Sequence, residues 1–154
     1  MYQVDFFEDS AAFFEQVSHL LEQDETRNSL ILGIVSQLTK NIHAYGEQSP
    51  LMALVRDQDS TVCVSAVMTP PFAMIVQSEP LCLGGLESLA DALLERGVIL
   101  PGVNGLKEVS DAFAELWKEN TGQQARILTR LRSYELHKVE ELDFPPGSLR
   151  VAKE

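Results

Sequence analysis

Two stretches carry residues whose types and spacing suit ligand chemistry. They are "SEPLCLGGLESL", residues 78–89, and "ILPGVNGLKEVSDAFAELWKENTG", residues 99–122. In each, glycines stand just before an apolar repeat of helical period. The first N–H groups of a glycine-led helix point outward together, and with the helix dipole they can cradle a phosphate without a cationic side chain. In the first stretch Gly84 and Gly85 are flanked by Glu79 and Glu87, whose charge raises the cost of holding an anion there. In the second, Lys107 is the nearby cation, and glycines at positive φ with Asn104 as helix cap account for every residue without a ligand.

Other reactive residues are dispersed. His19, His43 and His137 fall on three separate elements with no H-x-x-x-H spacing, so no metal site is assigned. Cys63 and Cys82 lie inside apolar stretches, outside any C-x-x-C pair, and read as buried thiols of a reducing compartment. "CLGGLE" is not a G-x-S-x-G elbow, so no catalytic nucleophile is assigned either. Glu8, Asp9, Glu15, Glu22, Asp24 and Glu25 concentrate acid near the first helices. That is a solvated helix face, or an electrostatic welcome for a cationic amine.

Charge limits the partners. The 154 residues include 23 acidic and 12 basic side chains, a net charge of −11 that disfavours nucleic acid. Arg126, Arg130 and Arg132 share an apparent strand, where alternation makes them one solvated face. No apolar run is long enough to span a bilayer and no leader pattern opens the chain, so a cytoplasmic protein without a membrane partner is expected.

These residues must be positioned by a regular alternation of elements. "YQVDFF" reads as a first strand, and Asp9 caps a helix over about 10–23 that carries Phe13, Val17, Leu20 and Leu21. A second helix starts near Asp24 or Glu25 and ends at Gly46. "LMALVRD", "TVCVSAVMT" and "FAMIVQS" form a three-strand meander, turned at Asp57–Ser60 and broken at Pro70 and Pro71. Gly84 and Gly85 lead into a third helix closed by Gly97, "VIL" is a short strand, and a fourth helix capped by Asn104 closes at Gly122. "ARILTRLRSYELHKV" reads as a long last strand. The order β-α-α-β-β-β-α-β-α-β demands a mixed α/β sheet with helices on both faces, strands four and five being parallel. Residues 1–139 form that domain, and 140–154, with paired prolines and no periodicity, form a linker or tail.

This order resembles the acyl-CoA-dependent N-acetyltransferases of the GNAT superfamily. "NSLILGIVSQL", "PLMALVRD", "VMTPPFAMIVQS", "LPGVNGLKEVSDAFAELWKENTG" and "RLRSYELHKV…PPGSLRVA" are similar to the N-terminal domain of two-domain bacterial GNAT proteins. The resemblance implies acetyl transfer from acetyl-CoA to an amine. It implies that strand residues such as Val76 and Ser78 face pantetheine, and that Gly84 and Gly85 take the place of the pyrophosphate loop. That loop has the form Q/R-x-x-G-x-G/A in a complete domain, and here no Arg or Gln precedes the glycines at its spacing. Trp117 stands where the family often has the tyrosine that protonates the leaving thiolate, and an indole N–H cannot do so. The resemblance therefore implies a domain not catalytic by itself, partnered by a C-terminal GNAT domain that follows Glu154. The alternative is a non-catalytic GNAT-fold module binding a ligand or partner. An apolar edge without that second domain favours a homodimer.

Overall fold

A computed structural model describes residues 2–140 and Gly147. Regular structure begins with β1, Gln3–Phe7, and α1, Ser10–Leu21. Asp9 caps α1 as its spacing predicts, accepting from the Ala11 N–H at 2.9 Å. One 3-10 turn, Glu22–Asp24, then leads into α2, Glu25–Lys40, where Asp24 is spent as the cap and accepts from the Arg27 N–H. Two of the six acids near these helices thus serve as helix caps. α2 stops at Lys40, short of the expected Gly46, because Asn41 leaves helical geometry and its side chain accepts from the His43 N–H instead.

The meander follows as β2, Leu51–Arg56, β3, Val62–Met68, and β4, Met74–Gln77. The Asp57 carboxylate closes the first turn by accepting from the N–H groups of Asp59 and Thr61, with Ser60 at a φ of 63°. α3, Leu83–Glu95, comes next and closes at Gly97, whose φ is 65°. β5 is Val103–Asn104 and α4 is Lys107–Thr121, closed by Gly122 at a φ of 73°. The sheet runs β1-β2-β3-β4-β5, antiparallel except for the parallel β4–β5 pair.

Strand alternation sorts the apolar residues onto two layers. Met52, Leu54, Val67 and Ile75 pack with Phe13, Val17 and Leu21 of α1 and Ile31, Val35 and Leu38 of α2. Ala53, Val55, Val64, Ala66, Met74 and Val76 face the other way, against Leu86, Leu89 and Leu93 of α3 and Val109, Phe113 and Trp117 of α4. Both faces of the sheet are therefore covered, which is why the meander reads as near-continuous apolar runs.

Three expectations are corrected. "VIL" is not a strand; pairing with β4 falls instead at Val103–Asn104, inside the glycine-containing loop. Asn104 is consequently held in that strand and does not cap α4, whose first turn follows Leu106 without a side-chain cap. The long last strand does not form: residues 123–140 have no regular structure and are exposed throughout. A strand satisfies its backbone groups only through a partner, and none of the described strands pairs with this segment. The element order among the described residues accordingly ends at α4. The proposed linker at 140–154 lies outside the described residues apart from Glu140 and Gly147.

No helix among the described residues is long and apolar enough to cross a membrane.

Candidate functional site

The four residues singled out for a cofactor converge around the start of α3. Val76 is buried in the α3/α4 layer and Ser78 is buried at the end of β4. The Ser78 hydroxyl donates to the Cys63 carbonyl at 3.0 Å and accepts from the Cys82 N–H at 2.9 Å, holding the residue that precedes α3, which itself has no side-chain cap. β4 exits through Glu79 and Pro80 into this start, which is how Ser78 comes within reach of a backbone four residues on.

Gly84 and Gly85 are explained by what lies against them. A Cβ on Gly84 would sit 2.5 Å from the Tyr2 ring, and one on Gly85 would meet Val64 at 2.9 Å and the Cys63 and Cys82 sulfurs at 3.0 Å. Neither glycine has a positive φ, so close approach rather than backbone freedom selects them. β1 carries Tyr2 to this place, and its Phe6 ring lies 3.7 Å beneath the Arg96 guanidinium at the far end of α3.

Tyr2, Cys63 and Cys82 thus form one small polar cluster. Its contact with Cys82 raises the Tyr2 phenol above its ordinary value. Burial first, and Cys82 second, push the Cys63 thiol up to about 12. Both cysteines are free thiols. Tyr2 and Cys63 therefore hold their protons at neutral pH, and Cys63 offers no thiolate nucleophile.

A pyrophosphate does not fit this helix start as it stands. The Tyr2 ring covers Gly84, the Ser78 hydroxyl is already spent, and exposed Glu79 and Glu87 flank the turn. Glu79 is itself ion-paired to Arg27, which also reaches Asp24 at 3.3 Å, tying α2 to the segment after β4.

The second glycine stretch has a different reason from the expected one. Gly102 and Gly105 do not adopt positive φ. A Cβ on Gly105 would stand 2.4 Å from the Val76 carbonyl oxygen, so Gly105 lets the chain leaving β5 cross directly over β4.

Two concavities lie on the α1/α2 side. At the end of β4 the packing turns polar: Gln77 and Asn28 are buried, Gln77 accepts from Ser65, and Asn28 donates to the Leu21 carbonyl. With Leu20, Gln23, Asp24 and Glu79 they line a cleft of about 130 Å³, large enough for a few waters or a small polar group. Nearer β5, an apolar groove of about 370 Å³ runs between α2 and the sheet edge, lined by Leu30, Ile34, Tyr45, Phe72, Ile75 and others including Asn104. Sequence periodicity could not reveal either, because each joins residues from separated elements.

On α4, Trp117 stacks on Phe113 with centroids 6.0 Å apart and donates its indole N–H to Gln123. Among the described residues no group of three or more His, Cys, Asp or Glu converges as a metal site would. Comparison with family models, curated proteins and solved structures finds no match.

Proposed function

We propose that this chain is the N-terminal GNAT-like domain of an acetyl-CoA-dependent N-acetyltransferase, and that it supports the enzyme without performing the transfer. The observation that carries this reading is the change from antiparallel to parallel pairing at β4 and β5, after an α-α-meander-α order. Pairing there covers only Met74 with Val103 and Ile75 with Asn104, while β4 runs on to Gln77. In the family this order resembles, the divergence of these two strands is where the acyl-CoA enters. In this chain Gly105 crosses over Val76 at that point, and Tyr2 covers the helix start that would meet the phosphates. Acyl transfer itself, with a base for the ammonium proton and strand N–H groups for the oxyanion, then belongs to a second GNAT domain.

A non-catalytic module is the second reading, favoured by the polar cleft beside Gln77 and Asn28 on the α1/α2 side of the sheet. Calorimetric titration with acetyl-CoA tests the proposal in two arms. This chain should give no binding heat, whereas the product of the intact gene should bind acetyl-CoA. Stoichiometric micromolar binding by this chain would overturn the division of labour, and no binding by the intact product would overturn the acetyltransferase reading.

A further inference from the structure

The segment after α4 is patterned like a strand but pairs with none of the described strands. Ile127, Leu128, Leu131, Tyr134, Leu136 and Val139 are each between 62% and 84% exposed. Over residues 125–132 the alternation is clean: Ala125, Ile127, Thr129 and Leu131 fall on one face, and Arg126, Arg130 and Arg132 fall on the other with Leu128. Among the described residues, the segment is tied to its own domain at Gln123, which accepts from the Trp117 indole N–H and donates its own N–H to Thr121.

The domain supplies the complementary surface. β5 ends the sheet as a two-residue edge, and the apolar groove with Phe72 58% exposed adjoins it through Asn104. A strand added at this edge would turn one face to the groove on the α2 side and the other to the α3/α4 side. Helix α4, which packs beside β4 and β5, carries four acids, Glu108, Asp111, Glu115 and Glu119, against Lys107 and Lys118. Those lysines are already paired with Asp111 and Glu115. The uncharged face of the segment thus matches the groove and the arginine face matches the acidic helix α4. Along residues 1–140 the asymmetry persists: residues 1–122 hold eighteen acids and six cations, while residues 123–140 hold two acids and four cations.

We propose that residues 125–133 form a strand by adding to the β5 edge of a second copy of this chain, the two copies exchanging segments reciprocally about a two-fold axis. An extended run of this length spans roughly 30 Å at about 3.3 Å per residue, enough to lie along a neighbouring domain's edge. Reciprocal exchange about the two-fold axis closes the assembly at two copies. The inference stands apart from the acetyltransferase reading, since it uses neither the α3 start nor the end of β4.

The test is the molar mass of the chain by light scattering and sedimentation at micromolar to sub-millimolar concentrations, with hydrogen exchange of the same samples. A dimer is expected, with residues 125–133 protected. Ile127→Asp with Leu131→Asp, on exposed positions that leave the core intact, should give a monomer of unchanged circular dichroism. Phe72→Asp on the groove side should do the same. Replacing the three arginines by Glu should weaken the dimer on the order of tenfold or more, and added salt should weaken the unmodified dimer in the same direction. A monomer throughout the concentration range overturns the proposal. So does a dimer that survives Ile127→Asp/Leu131→Asp, or a monomer whose residues 125–133 are protected by pairing with their own sheet.

Discussion

Gly105→Ala separates a glycine kept for packing from one kept for a ligand. Because Gly105 is not at positive φ, alanine carries no backbone penalty there. Stiffening the unfolded chain would by itself stabilise the protein by about 0.4–1 kcal/mol. The new Cβ, however, would lie 2.4 Å from the Val76 carbonyl oxygen, where ordinary contact begins near 3.4 Å, so backbone must move by the difference of 1.0 Å. The partner atom is main chain in a buried central strand and cannot swing aside. Overpacking of this kind costs roughly 1–3 kcal/mol, and loosening the two-residue β4–β5 ladder forfeits about 1 kcal/mol more. After the unfolded-state gain the net destabilisation is about 2 kcal/mol, a fall of about 1 M in urea midpoint at a slope near 2 kcal/mol/M. Trp117, the single tryptophan, is buried in the α3/α4 layer and reports the transition by fluorescence. Gly102→Ala is the control: its Cβ would meet Ala73 at an ordinary 3.5 Å, so its midpoint should hold or rise slightly. A Gly105→Ala protein as stable as the parent, or more so, would refute the reasoning and return that glycine to the candidates for ligand contact.

Two further outcomes follow from the α3 start. Ser78→Ala should lower stability by roughly 1–3 kcal/mol in the same urea assay, since it strands the Cys82 N–H; an unchanged midpoint would mean water replaces the hydroxyl. The Cys63 thiol, held up to about 12, should alkylate with iodoacetamide at a rate still climbing through pH 10, where a thiol of the ordinary value 9.0 would level off. The folded state keeps a proton that the unfolded chain releases near pH 9. This contribution to stability is therefore complete below pH 9 and is lost as pH rises toward about 12. A rate that levels off by about pH 10, read by mass spectrometry of the Cys63 peptide, would show an ordinary thiol.

The parts of the fold set by neighbouring residues were legible in the sequence. The meander strands, the Asp57 turn, the cap at Asp9 and the αL closures at Gly97 and Gly122 each follow from a few adjacent side chains. What depends on distant partners was not. The alternation over residues 125–139 is a strand pattern, but no local pattern states whether an edge awaits it. Parallel pairing chose Val103–Asn104 over the more apolar "VIL" because ladder geometry is set by β4, more than twenty-five residues earlier. At the candidate site, burial of Val76 and Ser78 was implicit in an apolar run. That Tyr2 would cover Gly84, or that the Ser78 hydroxyl would hold Cys82, joins residues that only the folded sheet brings together.

The two layers also fix an order of events at the ribosome. Residues 10–40 build one layer, residues 51–77 the sheet, and residues 83–121 the other layer. As the nascent chain emerges, α1 and α2 can close onto the meander as soon as it is complete. Its opposite surface, with Ala53, Val55, Val64, Ala66, Met74 and Val76, stays bare until α3 and α4 have been synthesised. A ribosome that stalls near residue 80 would therefore leave half a sandwich with one oily side, the form of this chain with most need of a chaperone.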